Sequence, residues 1–449
     1  MNKHFLGIAL ALIAGVASAA EPRGWRLLWS DEFDGPSVDN SKWAIEDAAL
    51  VKNNERQYYS PDEVYIKDGC LVLRSRRRSM GGRDFTSGLV ETRGKFAIAF
   101  GRVEIRAKLP RTQGIWPAHW MLPDDGSWPP EIDIMECIGS QPNMITMSLH
   151  TGTWPGLYSQ SEDFIGDDYS ADFHTYALEW EPKEMRWFID GVKRFSSANT
   201  IPQIPMFLIL NTAVGGDMPG EPDETTELPQ YHVIDYVRVY CRDTPGQFYL
   251  VTSAEHGRVF ASPKASPYKA GSAVTLTAYP SIGYKFGEWS GDIAGSANPV
   301  SVTMNAHKNI RAVFVEDPSA PALLSRGKPV KVSSVEKPDC EGANATDGNL
   351  KTRWSSEFAD PQTITIDLGA PHFIEAIRLA WEVAHAKDYA IDVSNDGKAW
   401  TNVHSKRNCR GGTEEIIGLK CTGRYVRLTG MTRAAEWGYS LWEFEVFGR

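Results

Sequence analysis

Three acids interrupt an apolar segment in Pro130-Glu131-Ile132-Asp133-Ile134-Met135-Glu136. Its alternation reads as a β-strand on which Glu131 and Asp133 share one face, while Ile132 and Ile134 take the other. Glu136 falls on the wrong face unless one residue is extra, so the spacing predicts a β-bulge at Ile134-Met135 that returns it to the acidic side. Carboxyls crowded on one strand face raise at least one pKa. An acid kept protonated beside a carboxylate kept ionised is what glycoside hydrolysis needs: one protonates the leaving oxygen and the other attacks, or activates water. A solvated acidic strand face is the plain structural alternative. Five steps with one bulge set the two glutamate Cα atoms at most roughly 13 Å apart, at about 3.3 Å per residue. That permits, without requiring, the carboxyl separation of about 5 to 5.5 Å that marks a retaining site.

The elements that position these acids are short alternating runs, such as Gly101-Arg102-Val103-Glu104-Ile105-Arg106-Ala107-Lys108-Leu109 and Arg186-Trp187-Phe188-Ile189. Gly, Pro and Asp separate the runs, and long stretches of helical period are absent. An all-β sandwich over residues 21–242 is the expected architecture. Asp243-Thr244-Pro245-Gly246 breaks the pattern like a boundary. A small β module follows over 247–315, with Ala273-Val274-Thr275-Leu276-Thr277-Ala278 as one strand. Residues 316–324 read as a stiff linker, and 325–449 as a further β-sandwich with strands at Ile364-Thr365-Ile366-Asp367-Leu368 and Tyr425-Val426-Arg427-Leu428.

Upstream of the acids, Gly114-Ile115-Trp116-Pro117-Ala118-His119-Trp120-Met121-Leu122-Pro123 supplies two indoles, whose faces suit the apolar faces of sugar rings. With Trp29-Ser30-Asp31-Glu32-Phe33-Asp34-Gly35, Asn53-Asn54-Glu55-Arg56-Gln57-Tyr58-Tyr59, the E-x-D-x-x-E acids, Asn211-Thr212-Ala213-Val214-Gly215-Gly216 and Asp235-Tyr236-Val237-Arg238-Val239-Tyr240, the segment closely resembles glycoside hydrolase family 16, its laminarinase-like β-1,3-glucanases in particular. The resemblance covers residues 25–241. It implies a catalytic β-jelly-roll sandwich with Glu131 as nucleophile, Glu136 as acid/base and Asp133 as helper between them. It further implies sugar contacts at Asn54, Trp116, Trp120 and His150, and no cofactor for catalysis. A structural Ca2+ held by Glu32, the Gly69 carbonyl and Asp235 is implied in the same way, with ordinary turn acids as the alternative. Ser87-Gly88-Leu89-Val90 and Asp217-Met218 depart from the family pattern, where an arginine and an aromatic are common.

Gly283-Tyr284-Lys285-Phe286-Gly287-Glu288-Trp289 in the middle module resembles the internalin B-repeat. Ala345-Thr346-Asp347-Gly348, Thr352-Arg353-Trp354 and Trp442-Glu443-Phe444-Glu445-Val446-Phe447-Gly448 resemble a coagulation-factor 5/8 type C (discoidin-like) module of the carbohydrate-binding family 32 kind. That resemblance implies a second structural calcium on Asp347 and Glu443, with sugar contacts among His385, Trp437 and Tyr439, and Trp354 in the core.

Composition bounds the partners. With 47 Lys and Arg against 57 Asp and Glu, a net charge of -10 repels a phosphate backbone, so nucleic acid is excluded as a partner. The apolar run Phe5 to Val16, ending in Ala17-Ser18-Ala19-Ala20, reads as a secretory signal peptide over residues 1–20. It is shorter than the roughly 20 residues of a spanning helix, so a secreted protein without membrane insertion is expected. The 6 cysteines allow many pairings, of which Cys409 with Cys421 is the nearest in sequence. Together these features predict a monomeric, secreted, retaining endo-β-1,3-glucanase acting on β-glucan polysaccharide. A mixed-linkage glucanase or algal galactan hydrolase is the alternative within the same chemistry; a non-catalytic glucan-binding protein, or an adhesin led by the last module, is the alternative outside it.

Overall fold

The computed structural model describes residues 22–449 apart from 51, 125–126, 153–155, 351, 383 and 410, so the signal peptide expected at 1–20 lies outside the described residues. Alternation does in the first region what it predicts. In Gly101–Lys108, Val103, Ile105 and Ala107 are buried and the charged residues between them are partly exposed.

Two sheets result. One has ten strands, built around Gly101–Lys108, Gln230–Cys241 and Cys70–Met80. The other has seven, in the order Tyr158–Ile165, Met144–Thr151, Glu131–Glu136, Ile115–Pro123, Met206–Val214, Leu89–Glu91, Ala44–Ile45. Every pairing in the second sheet is antiparallel. Ile132, Met121, Leu149, Leu208 and Leu210 of this sheet meet Val103, Ile105, Leu178 and Val237 of the first in one core. Burying such side chains contributes about 1.5–3 kcal/mol each. The acid-bearing strand lies near the middle of the seven, with its apolar face held in that core.

The middle region forms two three-stranded sheets and a two-stranded pair around Val274, Leu276, Trp289 and Ile310. It is packed onto the sandwich: Tyr249 and Val251 enter the sandwich core, Lys95 Nζ donates to the Ala254 carbonyl at 3.1 Å, and Lys264 pairs with Asp124. The linker expected over 316–324 is shorter than its composition suggests. Glu316 ends the strand Lys308–Glu316, and Ala322–Leu323 pairs with Gly448 and Phe447 at the edge of the last sheet.

The last region is an eight-stranded sheet around Trp354, Ile366, Tyr389, Leu428 and Phe444, with Trp354 fully buried in the core. All six cysteines are free thiols. Cys409 Sγ lies 3.1 Å from Glu414 at the start of Thr413–Arg433, whereas Cys421 is opposite Ile374, seven residues further along the strand. That run spans at most about 23 Å at about 3.3 Å per residue, too far for a disulfide. Among the described residues no helix is long and apolar enough to cross a membrane.

Candidate active site

The register around the acids contains the extra residue. Asp133 faces Ser148 on one neighbouring strand and Glu136 faces Thr146, so three steps along the acidic strand match two on its partner. On the other side Asp133 pairs with Trp120 and Met135 with His119, which makes Ile134 the unmatched residue. Ile132, Ile134 and Met135 are buried in the core, while Glu131, Asp133 and Glu136 line one cleft of about 910 Å³. From the opposite sheet, Trp187 Nε1 donates to the Asp133 carbonyl at 2.9 Å and braces the strand at the bulge.

Burial separates the three acids electrostatically. Asp133 is 2% exposed; burial first, then the charge of Glu131 and a hydrogen bond to it, hold its carboxyl well above the usual range. Burial and the neighbouring charge therefore favour the protonated form of Asp133, hydrogen-bonded with Glu131. Glu131 also accepts from Trp128 Nε1 at 2.7 Å. Glu136 is likewise pushed well up, by burial and then by Asp133 and Glu131, against the opposing Trp116 Nε1 hydrogen bond of 3.1 Å to its Oε1 and the nearby His150. The cleft thus sets Glu136, whose protonated form burial favours, beside Glu131, which accepts from Trp128, a pair of carboxyls that two-carboxyl glycoside hydrolysis can use.

His150 stands beside them, with Nε2 3.2 Å from Asp133 Oδ2 and Nδ1 2.8 Å from Ser159 Oγ. Ligand atoms of Glu131, Asp133 and His150 lie within 4.8 Å of one another. Cation binding there opposes the proton on Asp133, because a carboxylate must lose its proton to ligate.

Trp116 and Trp120 both line the cleft. Trp120 is fixed by Nε1 donating to Asn211 Oδ1 at 2.8 Å; Asn211 donates to Tyr59 OH, which donates to Glu55. Lys52 Nζ lies 4.5 Å from the Trp120 ring centroid. Asn54 differs from expectation. Its amide donates to Asp217 Oδ1 at 2.7 Å, and it is the neighbouring Asn53, with Met218, that lines the cleft. Both asparagines have positive φ, 49° and 54°, so the loop turns sharply there. The departure at Asp217-Met218 is thereby explained: the acid anchors Asn54 and the methionine takes the wall position. Leu89, from the other departure, also lines the wall. Sequence reasoning missed Trp128, which is 54% exposed, and Glu46 at the far edge. The only local signal for Trp128 is its place three residues before Glu131.

The two metal-ligand sets differ. Arg238 forks onto both Glu32 oxygens at 2.9 and 2.7 Å, and Arg106 pairs with Asp235. Those carboxylates are neutralised by guanidinium groups, so the set with Gly69, which turns with φ of 73°, does not fit a calcium ion as arranged. In the last module Asp347 accepts from the Asn349 amide at 2.8 Å and from Thr352 Oγ1 at 2.7 Å. Glu443 is 5% exposed with a buried, unpartnered Oε1, and burial pushes its carboxyl up to about 7. An orphaned carboxylate oxygen beside a second acid fits a hard cation. Tyr439 is fully buried and donates to Asp360, so it faces no ligand; Trp437 remains 39% exposed.

Comparison with known proteins agrees with this geometry. The family description "Glycosyl hydrolases family 16" matches residues 51–238, "Divergent InlB B-repeat domain" residues 249–318, and "F5/8 type C domain" residues 329–444. The glucan endo-1,3-beta-glucosidase A1 of Niallia circulans is 34% identical over 258 residues, covering 48% of this chain and 38% of that protein. The beta-glucanase of Rhodothermus marinus is 37% identical over 243 residues, covering 48% of this chain and 85% of that one. Among solved structures, the laminarinase catalytic domain from Thermotoga maritima MSB8 is 36% identical, with a TM-score of 0.46, over 49% of this chain and 99% of that chain. With 85% of the Rhodothermus marinus relative covered at 37% identity, and the family description matching residues 51–238, the chain belongs to glycosyl hydrolase family 16.

Proposed function

We propose that the chain is a retaining endo-β-1,3-glucanase that cuts laminarin-type β-glucan by double displacement. The observation that carries the reading is the bulged strand, which sets Glu131, Asp133 and Glu136 in one cleft where burial favours the protonated forms of Asp133 and Glu136. Glu131 attacks the anomeric carbon while Glu136 gives its proton to the departing glycosidic oxygen. Glu136, now a carboxylate, takes a proton from water as that water displaces Glu131. Asp133 positions Glu131 through their shared proton and relieves its charge against Glu136. Trp116 and Trp120, both on the Ile115–Pro123 strand beside the acids, support the sugar rings. Two of the relatives are named for β-1,3-glucan alone and two for β-1,3-1,4 linkages, which supports a glucan containing β-1,3 bonds and keeps the mixed-linkage glucanase as the alternative.

Export follows from the apolar run Phe5 to Val16 with its small-residue end, and we extend the proposal to a monomer acting outside the cytoplasm. The last module is proposed to hold a structural calcium on Asp347 and Glu443.

Proton NMR of fresh hydrolysate tests the mechanism, with β-configured reducing ends expected first on laminarin. Dominant α-anomer before mutarotation would exclude Glu131 as nucleophile, and release from lichenan or agarose but not laminarin would move the substrate. Failure to release reducing ends from any of these polysaccharides would favour a glucan-binding protein.

A further inference from the structure

The cleft is not made by the family 16 sandwich alone. Its far end, beyond Trp120 and Ile209, is bounded by Ile45, Glu46, Glu91 and Arg93 at the Ala44–Ile45 edge of the seven-stranded sheet. Facing them across the same cavity are His385, Gly411, Gly412 and Thr413 of the C-terminal module, far away in sequence.

The contact is built. A Cβ on Gly412 would sit 3.4 Å from Glu46 Oε1 and 3.6 Å from Ala48 Cβ, so the loop backbone lies directly on the sandwich. The loop is fixed from its own side by Trp381 N donating to the Gly412 carbonyl at 2.9 Å, and a Cβ on Gly411 would collide with His385 Nδ1 at 2.8 Å. Gly411 and Gly412 have φ of 75° and 69°, conformations that favour glycine. Beside the loop, buried Glu382 stands within electrostatic reach of Arg83, and a Cβ on Gly82 would be 3.5 Å from Glu382 Oε1. Arg83 in turn donates to the carbonyls of Glu55 at 2.9 Å and Leu50 at 3.3 Å, holding the loop whose Lys52, Asn53 and Glu55 line the cleft. Arg83 therefore stands between the module's acid and the cleft's own wall, within electrostatic range of the first and hydrogen-bonded to the second.

From the acids to this end the sheet crosses four strand spacings, about 19 Å at about 4.8 Å each. That is room for several sugar rings. The far end offers a carboxylate, a guanidinium and the Thr413 hydroxyl beside apolar Leu50, Leu89 and Leu122, the mixture that recognises a neutral polyhydroxylated chain.

We propose that the C-terminal module is part of the catalytic cleft, its Gly411-Gly412-Thr413 loop and His385 forming the wall of a distal subsite for a β-glucan ring several units from the scissile bond. The proposal rests on the glucanase reading. It makes the module a determinant of chain-length preference, beyond any tethering at a polysaccharide surface. Binding gained at a remote ring raises kcat/KM for substrates long enough to reach it and leaves shorter ones without that contact.

The test uses the full chain with exposed Thr413 replaced, Thr413→Trp, to fill the end of the cleft, and Glu382→Lys to set like charges against Arg83 and part the module from the sandwich. kcat/KM is measured on laminari-oligosaccharides of increasing length, with melting curves to verify folding. The long-to-short ratio should fall about tenfold in each variant, the equivalent of about 1.4 kcal/mol of lost binding. A ratio within twofold of wild type in both variants overturns the proposal. Calorimetry of long and short oligosaccharides on Glu131→Gln, with and without Thr413→Trp, reads binding without turnover. A length-dependent loss of binding there, with a wild type that hydrolyses nothing, would keep the subsite and sink the enzyme reading instead.

Discussion

Replacing Trp116 with phenylalanine should move the alkaline limb of the activity profile upward. The Trp116 indole N–H reaches Glu136 Oε1 at 3.1 Å and favours the carboxylate, opposing the burial and neighbouring acids that favour the protonated form. A hydrogen bond to a charged acceptor is worth about 1.5–3 kcal/mol, and about 1.36 kcal/mol corresponds to one pH unit. The cleft is open to water and both side chains are partly exposed, so the lower end applies and a rise of about one unit is expected. Glu136 acts first as the acid, so the enzyme is active below its pKa, and raising that pKa extends activity to higher pH. The alkaline limb of kcat/KM on laminarin reports the essential acid of the free enzyme. Its height also falls as the ring loses area against the sugar, but its midpoint is independent of height. A midpoint unmoved, or moved to lower pH, would refute the claim that Trp116 tunes Glu136.

Further outcomes follow from the same contacts. Glu131→Gln and Glu136→Gln should each lower kcat on laminarin by about 10²–10⁴-fold or more with unchanged melting, since amides keep the shape and lose the chemistry; near-native turnover in either would reverse the roles. Asp133→Asn should cost at least tenfold less than Glu131→Gln in the same assay, because an amide N–H still donates to Glu131 as the carboxylic acid does. His119 and His232, their Nε2 atoms 3.0 Å apart between the sheets, are held neutral by burial, His232 down to about 3. The unfolded chain binds a proton there near pH 6.5 and the folded one does not, so stability is lost as pH falls from about 6.5 toward 3; two pH units below 6.5, His232 alone costs roughly 3 kcal/mol. Urea unfolding against pH should flatten over that window in a His119→Leu/His232→Leu variant, and an unchanged slope would contradict the reading. Chelation should lower the melting temperature of the wild type but not of Glu443→Gln if Asp347 and Glu443 hold calcium; equal shifts would place the ion elsewhere or nowhere.

The acidic strand was legible because its chemistry conflicts with its period: a two-residue repeat cannot put Glu136 with Glu131 and Asp133, and a bulge is the smallest repair. Trp116 and Trp120 were legible because strand neighbours sit close in sequence to what they flank. For Asn54 the sequence could not tell which of two consecutive asparagines lines the cleft: the structure puts Asn53 in the lining and bonds the Asn54 amide to Asp217. Glu32 and Asp235 read as oxygen donors, and only the fold brings Arg238 and Arg106 onto them. The far end of the cleft was out of reach altogether. Glu46 and Gly412 meet through a docking surface between two modules, and no periodicity within either one encodes that.

Tyr249 and Val251 lie past the break at Asp243-Thr244-Pro245-Gly246, in what the sequence assigns to the middle module, yet both fill the core of the sandwich before it. Tyr249 also stacks on His307 of its own module, with ring centroids 5.8 Å apart. The two folds therefore share a side chain, and an apparent seam in composition is not a place where the polypeptide can be cut cleanly. A cassette exchange at that seam would strip an aromatic from the upstream fold, a loss of about 3–5 kcal/mol for a buried ring. Any recombination that brought these modules together had to carry the first turn of the second with the last strand of the first, so that they passed on as one inherited block.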